Sequence, residues 1–160
     1  MPATGLTSTD CIVADVTVRD VMLLDGFYEC VETYSKCCVN PDVKPNGFNA
    51  ELYMNVEKAG MLKSEVLLEP DTNICCGFAA AIVSLNPHLG AVIASLDTVF
   101  VMPEFRRGGN AQRMLARLDE RCKDAGAKGM YLTAPANSRL EKVYDRLYQR
   151  TNILYWKDYE

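Results

Sequence analysis

Residues 95–125 read S-L-D-T-V-F-V-M-P-E-F-R-R-G-G-N-A-Q-R-M-L-A-R-L-D-E-R-C-K-D-A. In the first part Leu96, Thr98, Phe100 and Met102 alternate with Ser95, Asp97, Val99 and Val101. A period of two, rich in β-branched and aromatic residues, predicts a strand with those two sets on opposite faces. Pro103 has no N–H to give a ladder, so pairing should stop there. Gly108 and Gly109 allow a sharp turn and close approach of a ligand to the backbone. Ala111, Met114, Leu115, Leu118, Cys122 and Ala125 then recur at helical spacing and form one apolar stripe. The stretch is strand, glycine turn, helix. A helix start carries unpaired N–H groups and the positive end of the macrodipole, so this junction suits an anion. Arg106 and Arg107 add positive charge where a diphosphate would arrive.

Other phosphate loops are excluded. Neither G-x-x-x-x-G-K-[ST] nor G-x-G-x-x-G occurs in the chain. Arg106-Arg107-Gly108-Gly109-Asn110-Ala111 instead fits R-x-x-G-x-A, and this resembles the acyl-coenzyme A pyrophosphate loop of the GNAT superfamily of N-acetyltransferases. The bland alternative for these six residues is a charged strand–helix connection.

Working outward, Cys11 to Val18 is expected as a first strand, with Asp20 as an N-cap and a helix over about residues 20–38. Pro41, Pro45 and Asn46-Gly47 mark a loop over 39–48, and Asn49 caps a second helix that ends at Gly60. From Lys63 three strands joined by short turns form an antiparallel meander. Ala79, Ala80 and Ala81 could be helical, but turn clusters on either side favour a strand. After the cradle helix, Gly126 closes it and Met130–Thr133 is a short strand, joined to the central strand by a right-handed crossover. Pro135 and Asn137 start a last helix with Leu140, Val143, Tyr144 and Leu147 on its apolar face, and residues 153–159 form a final strand. The fold class is α/β (α+β): one domain over 1–160 with a mixed, mostly antiparallel central sheet flanked by helices, in the order β-αα-βββ-α-β-α-β. That order matches the GNAT fold.

A second motif strengthens the resemblance. In that family an Asn after the fifth strand is followed seven residues later by a Tyr, as Asn137 is by Tyr144. The resemblance implies acetyl-CoA as cosubstrate, held by N–H groups from Arg107 to Ala111, with thioester charge met by N–H groups near Phe100 and Val101. It implies Tyr144 as the acid for the leaving thiolate and Asp97 as the base. Each has a structural alternative: Tyr144 packs on the core face, and Asp97 orders a water or pairs with a cation. Asn137 bonds the pantetheine arm or caps its helix. The chain departs from the family pattern at Arg107 (usually Gly), at Asn110 (usually aliphatic) and after Tyr144, where Leu147-Tyr148-Gln149 replaces L-G-F. The expected reaction is direct attack of a primary amine, on a small molecule or a protein, on bound acetyl-CoA. The rival reading is an interaction module on the same fold that no longer transfers acyl groups. A small nucleotide-binding regulator would prefer ATP or NAD, and the missing fingerprints speak against it.

Composition narrows the remainder. A net charge of −4 disfavours nucleic-acid binding and suits an amine-bearing substrate. Seven cysteines without C-x-x-C spacing, and the single histidine His88, predict no metal site and a reducing, cytoplasmic compartment. Cys75, Cys76 and Cys122 read as small core hydrophobes, since no Cys–His arrangement supports a thiol nucleophile. Residues 1–10 lack a signal-peptide pattern, and no apolar run is long enough for a membrane span. Tyr148, Tyr155, Trp156 and Tyr159 offer an acceptor wall or the face of a homodimer, or simply pack.

Overall fold

The computed structural model describes residues 10–37, 47–155, 157 and 159. The lead-in 1–9, Cys38, most of the predicted 39–48 loop, and Trp156 lie outside them. The elements are β1 (Ile12–Asp15), α1 (Val18–Val21), α2 (Phe27–Cys37), α3 (Ala50–Lys58), β2 (Leu62–Leu68), β3 (Cys75–Asn86), β4 (Ala91–Val101), α4 (Asn110–Asp124), β5 (Met130–Tyr131) and α5 (Arg139–Leu147). They build a five-stranded sheet in the order β1-β2-β3-β4-β5. The first four strands pair antiparallel, and β5 pairs parallel to β4. The meander, the parallel pairing of β5 with β4 across α4, and the strand over Ala79–Ala81 are as the sequence predicts.

Three elements differ from expectation. The predicted helix over 20–38 is two helices. Thr17, not Asp20, caps the first by accepting from the Asp20 N–H. The break falls at Gly26, which has φ +82° and lies so close to β3 that a Cβ would sit 2.6 Å from the Cys75 carbonyl oxygen. Asp25 accepts from the Cys75 N–H at 2.8 Å across the same contact. A tertiary contact thus interrupts a helical pattern, because only glycine fits there. The final strand expected over 153–159 is also not seen among the described residues: 149–155, 157 and 159 carry no strand and are exposed. Finally, the alternation along β4 does not run through. Ala80 pairs with Thr98 and Ala81 with Leu96, which leaves Asp97 unpaired in a β-bulge. The bulge inverts the faces. Leu96 packs in the same cluster as Val99 and Val101, whereas Phe100 packs on the other side of the sheet.

Two layers of helix cover the sheet. Met114, Leu118 and Cys122 of α4 are buried against Leu67, Ala81, Ala94 and Leu96. On the opposite face, α1 and α2 bury Val21, Phe27 and Cys30 against Val66 and Phe100, and α3 packs beside Leu62 and Ala80. A row of arginines four residues apart laces α4 to the edge of the sheet. Arg117 and Arg121 hold the wholly buried Glu65 carboxylate at 3.1 and 2.8 Å, and Arg113 donates to the Cys11 carbonyl at 3.1 Å. A buried carboxylate needs such partners, since desolvation of a lone charge is far costlier than their ordering. Among the described residues no helix is long and apolar enough to cross a membrane.

Candidate functional site

The glycine turn forms as its residues require. Gly108 and Gly109 both take left-handed backbone, at φ +62° and +72°, and Gly109 caps α4. Arg113 Nη1 donates to the Gly108 carbonyl at 2.7 Å. The N–H groups of Ala111 and Gln112 in the first turn of α4 have no acceptor among the described residues. The loop therefore presents donors, a helix N-terminus and no side chain at Gly108 or Gly109. That arrangement holds a phosphate well.

The flanking side chains divide the labour differently from the sequence expectation. Arg106 does not reach forward. Its Nε donates to the Val101 carbonyl at 2.8 Å, and its guanidinium lies 5.6 Å from the Phe100 ring centroid. Arg107 stays exposed and makes no side-chain ion pair or hydrogen bond among the described residues. Asn110 is 1% exposed, and its amide ties the loop to the chain start. Its oxygen accepts from the Cys11 N–H at 3.2 Å, and its nitrogen donates to the Phe105 carbonyl at 2.9 Å. This explains the departure from an aliphatic residue: the side chain fills a core position while satisfying buried backbone.

Beside the loop, β4 is open. It pairs with β5 only at Ala94–Met130 and Ser95–Tyr131, so its edge from Leu96 onward lacks a strand partner. The Met102 N–H donates to Cys76 on β3 at 2.9 Å. Alternation from that bond turns the N–H of Phe100 toward β3 and those of Val99 and Val101 toward the open edge. The edge donors are thus Val99 and Val101. Sequence reasoning missed Val99 because the bulge that sets this parity depends on pairing with β3.

Tyr144 of α5 packs against the α4-side cluster, with its ring centroid 5.8 Å from that of Tyr148. Its hydroxyl is buried and has no hydrogen-bond partner among the described residues. Burial first, then the neighbouring Tyr148, pushes its pKa up to about 12, so the phenol is a neutral donor at physiological pH. Asn137, at φ +63°, precedes the helix and does not cap it with its side chain. Ser138 accepts from the Glu141 N–H at 3.1 Å, and the Glu141 carboxylate accepts from the Asn137 N–H, a reciprocal cap. The Asn137 side chain is left exposed.

Asp97 stands at the bulge and accepts a hydrogen bond from the Tyr53 hydroxyl of α3. Burial, reinforced by that carboxylate, raises the Tyr53 pKa and keeps its proton in place. The pair borders a cavity of about 240 Å³ between the sheet and α1–α3. Phe27, Tyr34, Phe48, Tyr53 and Phe78 contribute aromatic walls. Cys75, Cys76 and Cys122 are buried, and burial raises the thiol pKa of Cys76 and Cys122, against a role as nucleophiles. Among the described residues no group of three or more His, Cys, Asp or Glu can hold a metal.

The sequence matches a family model described as the acetyltransferase (GNAT) family over residues 57–148, which is more than half of the chain. The chain belongs to the GNAT acetyltransferase family. Its fold is shared by glucosamine-6-phosphate N-acetyltransferase from Arabidopsis thaliana (TM-score 0.68, 12% identity, 93% of this chain and 97% of that one). An aminoglycoside acetyltransferase from an uncultured soil metagenomic sample, in complex with sisomicin, has a TM-score of 0.71 at 10% identity, covering 94% and 97%. AAC(6')-Iy, in complex with the bisubstrate analog CoA-S-monomethyl-acetylneamine, has a TM-score of 0.67 at 18% identity, covering 94% and 98%. No match is found among curated proteins. The aromatic cavity lies between the sheet and α1–α3, on the face of the sheet opposite α4.

Proposed function

We propose that the protein is an acetyl-CoA-dependent N-acyltransferase in which a primary amine attacks the thioester directly. The observation that carries this reading is the Tyr144 hydroxyl, buried with no partner among the described residues at the position where the family resemblance implies the acid. An orphaned donor of this kind costs stability unless a ligand supplies an acceptor. The free N–H groups at the glycine turn fit the diphosphate of the coenzyme, and a GNAT neighbour was solved with a coenzyme A analog.

In this reading the coenzyme supplies a thioester carbonyl whose oxygen gains charge as the amine adds. The N–H groups of Val99 and Val101 on the open strand edge are fixed donors for that charge. Arg106, by holding the Val101 carbonyl, keeps that segment extended. Asp97 accepts the proton that the ammonium must lose, directly or through a water. Tyr144 donates to the departing thiolate. Gly108, Gly109 and Ala111 hold the diphosphate, Arg107 adds screening charge, and Asn137 lies free to meet the pantetheine arm. Asn110 acts on the cradle through its shape. The acceptor is an amine, as for the neighbours solved with sisomicin and an acetylneamine conjugate. Tyr144→Phe tests the assignment: thiol release should fall at least tenfold with acetyl-CoA affinity retained, and unchanged turnover would remove Tyr144 from the chemistry.

A further inference from the structure

We infer that the acceptor is a monocyclic aralkylamine, a primary amine joined to one aromatic ring by a short alkyl arm. This rests on the acyl-transfer reading above and concerns the cavity beside Asp97. Its walls are aromatic and already locked against one another. Phe27 meets Phe48 and Phe78 edge-on at 5.2 and 6.0 Å, and Phe48 stacks on Tyr53 at 5.4 Å. Such rings are rigid and accept another ring edge-on or offset with little loss of entropy.

Volume limits the guest. An apolar cavity of about 150 Å³ holds one benzene. The 240 Å³ here takes one ring and a short arm within the described walls, and the cavity opens to solvent beyond them.

Polarity limits it further. Among the described lining residues none is Lys, Arg or His, so a sugar phosphate would find no cation. The lining hydroxyls of Ser35 and Ser64 already donate to the Val31 and Val16 carbonyls, each at 2.9 Å. The Glu65 carboxylate is taken by Arg117 and Arg121. A polyhydroxylated guest would find only the Ser35, Ser64 and Tyr34 hydroxyls beside the acidic groups and would leave most of its own hydroxyls unpaired against apolar walls. Beside the Tyr34 hydroxyl, which has no hydrogen bond among the described residues, two groups remain for an amine. Asp97 brings a carboxylate to the border of the cavity, and the Thr98 hydroxyl next to it is buried with no partner among the described residues. Both stand at the bulge of β4, one residue from the open edge where the acyl group would be presented. A ring in the cavity thus points its ammonium toward Asp97 and the thioester. The cavities of this chain and of its sugar-acetylating neighbours need not agree, since a likeness at 10–18% identity fixes only the fold.

The test is calorimetry of the full chain with 2-phenylethylamine, 2-phenylethanol, glucosamine 6-phosphate and kanamycin, each with and without saturating coenzyme A. The inference expects 2-phenylethylamine to bind at least tenfold more tightly than the other three. Asp97→Asn should then reduce that preference over 2-phenylethanol to less than threefold, while the alcohol binds as before. Equal or tighter binding of either sugar, or no binding of 2-phenylethylamine under either condition, overturns the inference. Coenzyme A binding is read separately in the same cell. If it fails while the ring amine binds, the acyl-transfer reading falls and the cavity assignment stands.

Discussion

Tyr53 of α3 donates its phenolic proton to Asp97 of β4, a contact between residues 44 positions apart that joins a helix to the bulge of the central strand. The bond fixes one oxygen of the carboxylate at the cavity border. Tyr53→Phe should keep the ring stacking and lose the orienting donor. We expect kcat/KM for amine acetylation to fall about tenfold, on the order of 1.4 kcal/mol. Unchanged kinetics would mean that Asp97 needs no orientation from α3.

Glu65 is buried beneath α4, and its carboxylate depends on two partly exposed arginines. Glu65→Gln should destabilise the fold by about 2–3 kcal/mol, toward the lower end for breaking a buried pair, because the arginines keep access to water. Urea unfolding measures it. A change within about 0.5 kcal/mol, as for ordinary surface sites, would show that apolar packing alone docks α4.

Asn110 satisfies the Cys11 N–H and the Phe105 carbonyl from inside the loop. Asn110→Leu fits the aliphatic pattern of the family yet removes those partners. It should cost about 2 kcal/mol, read as a fall of several degrees in Tm. A neutral or stabilised variant would show that the lead into β1 finds other partners.

Tyr144 carries a pH signature. Its pKa is about 12 in the fold against an unfolded value of about 10. Between those values the unfolded chain has lost the proton that the native one keeps, so stability falls as pH rises through this window and is unaffected below it. Tyr144→Phe should flatten the stability profile between pH 10 and 12, followed by denaturant titration at fixed pH. Identical slopes in both proteins would contradict a buried neutral phenol.

The glycine turn and the helix after it were legible because both signals are local: left-handed backbone demands glycine, and six apolar positions share one helical face. The open edge of β4 was legible only through the family resemblance. What escaped the sequence is tertiary. The bulge at Asp97 exists only in register with β3, and it moves Phe100 and Val101 to faces opposite those that simple alternation gives. Gly26 breaks the first long helix through contact with Cys75. Arg106 turned out to brace Val101, since an arginine beside a backbone edge can serve carbonyl or phosphate alike. The four-residue spacing of Arg113, Arg117 and Arg121 was visible and is the signal that would have revealed the Glu65 clamp. The expected final strand failed because β5 has only two residues and offers little edge to extend.

The most direct measurement is calorimetry of the intact protein with acetyl-CoA, repeated on Gly109→Val. Gly109 at φ +72° faces only the Gln112 side chain, at 3.1 Å from a built Cβ, so valine there strains the turn without touching the core. The account predicts micromolar binding by the native chain and at least a tenfold loss in the variant. No binding by the native chain, or equal binding by both, would contradict the cradle and with it the acyl-transfer reading.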